Sequence, residues 1–288
     1  MKKLITLILI CIGLGTQAQT NGGIIVVGGV AVNVPDTSTT KYVQALYNGG
    51  DTLSLTQKFA ANFLVTNEKV TGLWSKSKAE YPILGGTATS HKWNIKDPRD
   101  LDAAFRLTYS GTITHDATGM KGDGLTGISD THLNAFFNLT LNNTHLSVYI
   151  NSTSLKESSD IGTNLGIDTN RINIHTKWSD GNAYYDFYNG LKTRIILTNN
   201  DGLGMYLSNR VSSNYFKAYK SGVNIGYNTN VESNTNLINS NIYLLNISAG
   251  IYSDKRIAYS DIGSGLTDTE ALNKSIIVTS FESILGRK

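Results

Sequence analysis

The sequence predicts a mainly β protein, a sandwich or jelly roll with a small helical N-terminal subdomain and a C-terminal amphipathic helix. Three observations carry that prediction. After residue 90, short segments alternate apolar and polar residues with period two, separated by Gly-, Asn- and Asp-rich turns. Two of those turns, Asp180-Gly181 and Ser221-Gly222, put glycine where a two-residue hairpin needs positive φ. Finally, 16% of the 288 residues are charged against 40% hydrophobic, so solubility rests on Asn, Ser, Thr and Gly. That balance suits an extracellular β protein better than a cytosolic enzyme.

At the N-terminus, Lys2 and Lys3 precede an apolar run from Leu4 to Leu14, and Thr16-Gln17-Ala18 offers small residues for cleavage. Residues 1–18 therefore read as a secretory signal peptide, too short to count as a membrane span. Ile10 before Cys11 argues against a lipoprotein signal. Cys11 is the only cysteine, so the mature chain is expected to have no disulfide and no thiol chemistry. Loss of two lysines takes the count from 25 basic against 22 acidic residues to 23 against 22. Such a chain has no electrostatic footprint for nucleic acid or an acidic membrane.

Residues 19–40 form a Gly- and Val-rich spacer, in which residues 24–27 and 30–34 read equally as a small strand pair. Residues 41–86 switch to helical period. Tyr42, Ala45 and Leu46 make one apolar turn, stopped by Gly49-Gly50. Ser54 and Gln57 form a capping box ahead of Phe59, Phe63 and Leu64. A second helical piece runs from Glu68 to Tyr81 and is ended by Pro82.

Residues 87–288 are the sandwich. Strands are expected over 103–109, 112–120, 131–139, 145–150, 171–178, 182–188, 193–198, 204–209, 242–248 and 256–260, besides the Ser221-Gly222 hairpin. Across that turn Lys220 faces Val223, Ala218 faces Ile225 and Phe216 faces Tyr227, leaving Tyr215, Lys217 and Tyr219 on a wet face. Across Asp180-Gly181, Trp178 faces Ala183, Thr176 faces Tyr185 and Ile174 faces Phe187 in the core. Lys177 with Tyr184, His175 with Asp186 and Asn173 with Tyr188 take the other face. The last element is a helix with a Thr267/Glu270 capping box, an Ile277, Phe281 and Ile284 stripe, and Gly286 at its end. Its stripe is expected to lie on the sandwich.

Three stretches carry a resemblance: GGTATSHKWNIKDPRDLDAAFRLTYSGTITHDATG (residues 85–119), KAYKSGVNIG (217–226) and IAYSDIGSGLTDTEALNKSIIVTSFESILGR (257–287). From Lys96 to Arg287 the chain resembles the concanavalin A-like, laminin-G-like jelly rolls of tailed-phage fibre and appendage proteins and of secreted, Bacteroidota-type surface proteins. The resemblance implies a concanavalin A-like β-sandwich whose tail adds a last strand and closes with an amphipathic helix. It also implies a carbohydrate-binding or structural module, and fold-level analogy assigns no site.

Hydrolases on this fold would carry two acids on one strand, spaced E-x-D-x-x-E or E-x-D-x-E, about 5 Å apart for double displacement. No such run occurs. The nearest pair, Asp268 and Glu270, falls in a first helical turn, where acids complement the helix dipole. G-x-S-x-G, H-E-x-x-H and a P-loop are absent, and His91, His115, His132, His145 and His175 never approach zinc spacing. The chain is accordingly expected not to be an enzyme and to need no cofactor, calcium being the one candidate ion. Asp97, Asp100 and Asp102 of KDPRDLD are the calcium candidates; the alternative is a turn whose acids pair with Arg99 and Lys96.

What remains is the wet face of the Asp180-Gly181 hairpin. Tyr184 and Tyr188 lie on one side of a strand, roughly 7 Å apart, with Asp186, His175 and Asn173 among them. Sugars stack C–H faces on aromatic rings and seek carboxylates, amides and imidazoles with their hydroxyls. That group is the expected carbohydrate site, unless another layer such as the helical subdomain covers it. The expected function is secreted or surface-exposed recognition and adhesion, with a glycan or another copy of the chain as partner. The alternatives are a structural subunit of a phage or cell-surface appendage and a polysaccharide-cleaving enzyme.

Overall fold

The computed structural model describes residues 24–27, 30–33, 35–166, 170–189, 194–229, 236–247 and 250–287. The expected signal peptide, residues 1–18 with Cys11, lies outside the described residues. Within the spacer, β1 (Ile24–Val27) pairs antiparallel with β2 (Val30–Asn33).

Helix begins before residue 41. α1 spans Thr37–Asn48 because the Asp36 carboxylate accepts the Ser38 N–H and caps it. Lys69 holds that carboxylate at 2.6 Å. α2 (Leu55–Val70) starts at the expected Ser54/Gln57 capping box. The second helical piece does not form. Gly72, at φ 78°, ends α2, a 3-10 turn covers Leu73–Ser75, and Ser77–Tyr81 is strand β3. Its local helical period loses to strand pairing, since Tyr81, Glu80 and Ala79 oppose Ser260, Asp261 and Ile262.

A single turn, α3 (Ala88–His91), leads into β4 (Thr108–Ser110), β5 (Ile113–Asp116), β6 (Gly119–Gly122) and β7 (Ile128–Asn134). The turn α4 (Ala135–Asn138), capped by Asn134, interrupts the strand expected over 131–139. Then come β8 (Thr144–Ser152), β9 (Ile161–Asn164), β10 (Arg171–His175), β11 (Asn182–Asn189) and β12 (Ile195–Thr198). β13 (Gly204–Arg210), β14 (Phe216–Lys220), β15 (Val223–Asn228), β16 (Asn241–Leu244), β17 (Arg256–Gly263) and α5 (Asp268–Ile284) complete the chain. β9 was invisible in the pattern, since its residues IGTN do not alternate.

Apart from the β1–β2 pair, strands β3 to β17 form two antiparallel sheets, as expected of a β-sandwich. A seven-stranded sheet runs β12-β11-β10-β9-β16-β7-β4. An eight-stranded sheet runs β15-β14-β13-β8-β17-β6-β5, with β3 also paired to β17. Between them lies one core, with Leu146, Val148, Tyr206 and Phe216 from the eight-stranded sheet against Ile172, Ile174, Tyr185 and Phe187 from the other.

The outer face of the eight-stranded sheet is buried as well. Tyr149, Met205, Leu207 and Tyr259 pack there against Leu46, Leu64 and Val65 of the N-terminal helices and Val278 and Phe281 of α5. This corrects the wet face expected for the Ser221-Gly222 hairpin. The turn forms with positive φ at both residues. A bulge between Ala218 and Tyr219 then shifts the register, so that Ala218 opposes Gly226 and Lys217 opposes Tyr227. Tyr219 is buried under α5 and its hydroxyl donates to Asp268 Oδ1 at 2.6 Å. Glu270 closes the expected capping box with Thr267.

Charge, too, is buried under the helices. The Lys274 ammonium on α5 sits 2.6 Å from Glu68 of α2, 2.7 Å from Asp261 of β17 and 3.5 Å from Glu80 of β3. His145 Nε2 lies 2.8 Å from Asp261, and the Tyr259 hydroxyl donates to Glu80 at 2.7 Å. Burial and the neighbouring Glu80 push the Glu68 carboxyl well above its usual range. Burial works against Asp261 as well, but Lys274 and His145 hold that carboxyl below the ordinary value. The network joins α2, β3, β8, β17 and α5, so the N-terminal helices and the sandwich share a single charge cluster.

Candidate functional site

Helices α1, α2 and α5 pack on the eight-stranded sheet, and the hairpin β10–β11 carries the residues of interest on the outer face of the seven-stranded one. The sequence DG suggests a two-residue turn. The structure builds a three-residue one instead, Ser179-Asp180-Gly181, with Gly181 at φ 83° and the Trp178 N–H donating to the Asn182 carbonyl at 2.7 Å. This is the three-residue hairpin loop with glycine in the left-handed position. A second irregularity follows at Thr176, whose N–H and hydroxyl both bind the buried Asp160 carboxylate. The pairs become His175 with Tyr184, Ile174 with Tyr185, Asn173 with Asp186 and Ile172 with Phe187. A slip of two residues keeps each strand residue on its expected face and changes its partner.

Trp178, however, changes sides. The extra turn residue takes it out of the core phase and onto the outer face. There it meets His175 edge-on at 4.9 Å and Tyr184 at 5.9 Å between ring centroids. The signal for this was present in Ser179-Asp180-Gly181, which fits a three-residue loop as well as a two-residue one. Trp178 and Tyr184 are half-buried, and Ile196, opposite Tyr184 on β12, is 52% exposed.

Of the expected carbohydrate residues, four share this face and one does not. Tyr188 is a correction. A bulge sets Arg171 against Asn189 and Ile172 against Phe187, so Tyr188 is the unpaired residue between them, with φ 57°. Its ring turns inward, edge-to-face with Phe187 at 5.6 Å, and is wholly buried. Asn173, His175 and Asp186 are on the outer face yet also buried, which corrects the expectation that they are wet. Asp186 accepts from Arg194 Nη2 at 2.6 Å, and Arg171 stands 4.0 Å away. Burial raises the Asp186 carboxyl in spite of those cations. His175 Nδ1 lies 2.9 Å from the Ser158 carbonyl, and burial, with Arg194, pushes its imidazolium form well below the usual range.

Tyr184 is the accessible survivor of the expected set. The Arg194 guanidinium lies 4.4 Å from its ring centroid. Its hydroxyl donates to Asp180, which also accepts the Asn182 N–H at 2.9 Å. The hydroxyl of Tyr184 is the largest influence holding the Asp180 carboxyl below its ordinary value. Farther along the same face, Asp186, Asn173, Gly162, Tyr243, Asp130 and Thr108 stand in register across six strands. A Cβ on Gly162 would come within 2.4 Å of the Asn173 Cβ, so only glycine lets β9 and β10 close here. Tyr243 and Asp130 are half-buried, and Asn241 donates to both Asp130 oxygens at 3.0 and 3.1 Å.

The calcium candidates are each engaged by cations. Arg99 bonds Asp97 at 2.7 Å, Lys92 and Arg106 bond Asp100 at 2.7 and 2.6 Å, and Arg106 bonds Asp102 at 2.9 Å. Arg99 plays its expected part, whereas Lys96 lies over the Trp74 ring at 3.4 Å and donates to the Trp74 carbonyl. No group of three or more His, Cys, Asp or Glu suited to a metal occurs among the described residues. No helix among them is long and apolar enough to cross a membrane.

No family model matches the chain, and no curated protein matches it. Solved structures with similar architecture exist. Domain 4 of an extracellular GH43 arabinanase from Geobacillus stearothermophilus, solved with arabinotriose, aligns at 14% identity and TM-score 0.48, over 69% of this chain and 98% of that one. A botulinum neurotoxin type C structure, described as dependent on two ganglioside molecules for cell entry, aligns at 10% identity and TM-score 0.49, over 74% and 53%. Trypanosoma rangeli sialidase aligns at 13% and 0.44, over 62% and 30%. The chain thus spans nearly all of the first structure and about half or less of the other two. These are likenesses of architecture, and no residue role passes through them.

Proposed function

We propose that this protein is a non-enzymatic carbohydrate-recognition module, secreted or displayed at a cell surface, that grips glycan on the outer face of the seven-stranded sheet. The observation that supports it best is the half-exposed pair Trp178 and Tyr184, set against the buried His175 on the outer face of the seven-stranded sheet. Trp178 offers a ring for the C–H face of a sugar. Asp180, Asn182 and Arg194 beside it accept from and donate to hydroxyls. The acids favour binding over cleavage. Asp186 has the raised carboxyl a general acid needs but is wholly buried, while exposed Asp180 is held ionised. A glycan array probed with the mature chain tests the reading. Binding should fall about tenfold or more in Trp178→Ala, consistent with loss of one stacking ring. Absence of any bound glycan, or binding unchanged in both Trp178→Ala and Tyr184→Ala, would overturn it.

A further inference from the structure

The sheets part at the edge formed by β12 and β15, and a cleft of about 380 Å³ opens between them. It lies on the inner side of β11 and β12, so its residues are not those of the Trp178 cluster. Ala183, Leu197 and Ile225 give it apolar walls. Beside the cleft Gly226 packs closely on β12, since a Cβ there would stand 3.2 Å from Leu197 and Ile195 side-chain atoms. Buried Tyr185 and Tyr206 floor it.

Its polar groups alternate in kind. The Asn199 amide donates to the Tyr206 hydroxyl at 2.7 Å, and Asn199 Oδ1 accepts from Lys220 at 2.8 Å. Lys220 also pairs with Asp201 at the rim, so the cleft carries no excess charge to select an ion. The Tyr185 hydroxyl, in a side chain with no exposed surface, has no hydrogen-bond partner among the described residues. Buried hydroxyls ordinarily find partners, so this one keeps a hydrogen bond to offer a guest. A guest here must donate to Asp201 and Asn199, accept from Lys220 and Tyr185, and present apolar surface to Leu197 and Ile225. Hydroxyls on a carbon ring meet all three demands.

We infer that the cleft between the sheets binds a single sugar unit, free or at a chain end, separately from the outer face. The volume falls within the range of small-ligand cavities and suits one ring rather than a long stretch of polymer. Saturation-transfer NMR with the methyl glycosides of glucose, galactose, mannose and arabinose tests it on the mature chain. At least one should receive saturation on its ring C–H protons. Its affinity should fall about tenfold in Tyr185→Phe, which deletes only the unpartnered hydroxyl, and in Lys220→Met. Tyr185→Phe should melt no lower than the parent, because no protein hydrogen bond is lost. The inference is overturned if none of the four is bound, or if both variants bind as the parent does. Binding lost in Trp178→Ala but kept in both cleft variants would assign the sugar to the outer face and overturn it too.

Discussion

The two sheets have the same antiparallel construction and differ in what packs on their outer faces. On the eight-stranded sheet, Tyr149, Met205, Leu207, Tyr219 and Tyr259 lie beneath α1, α2 and α5, and Lys274 is locked among three carboxylates. On the seven-stranded sheet, Trp178, Tyr184 and Ile196 keep surface in contact with solvent. Aromatic side chains in strands therefore say little about binding until the covering layer is known. Where helices cover them they are a second core, and where none does they are free to meet a ligand.

The sharpest contrast should come from charge. Lys274→Met leaves Glu68, Glu80 and Asp261 buried without their ammonium, a loss of about 3–5 kcal/mol. At roughly 2–4 °C per kcal/mol for a chain of this size, calorimetry should record a melting temperature about 10 °C lower. A shift of a degree or two would mean that the helices are not fastened by this cluster.

Two tyrosines on one strand sharpen the comparison next. Tyr188→Ala should cost about 3–5 kcal/mol in denaturant unfolding, because its ring fills the core. Tyr184→Ala should cost under about 1 kcal/mol, because its ring is partly solvated. Equal losses would contradict the bulge that sends Tyr188 inward.

Titration gives a smaller effect on the helical side. Burial raises the Glu282 carboxyl to about 7. The native state then holds that proton more tightly than the unfolded chain, so the associated stability is complete below about pH 4.5 and lost as pH rises through 7. Its size is on the order of 3 kcal/mol across that window. Unfolding of Glu282→Gln, followed from pH 4 to 8, should lack this decline relative to the parent.

Legibility followed the same division. The Ser221-Gly222 turn, the capping boxes at Ser54 and Thr267, and the two-layer β architecture are readable because turn chemistry and period-two patterning are local. Ser77–Tyr81 was not readable, because pairing with β17 overrides its helical spacing. The site was half readable. Parity put Asn173, His175, Tyr184 and Asp186 on the correct face. Trp178 and Tyr188 were exchanged because each depends on one extra residue, in a turn and in a bulge. Burial of Asp186 and His175 depends on Arg194 and on the Ser158 backbone, distant neighbours that no spacing announces.

Hydrogen exchange with and without the strongest glycan from the array tests the division most directly. Added protection is expected over residues 178–184 and 194–198 and none over α1, α2 and α5. Protection confined to the helices, with the Trp178 hairpin unchanged, would contradict it.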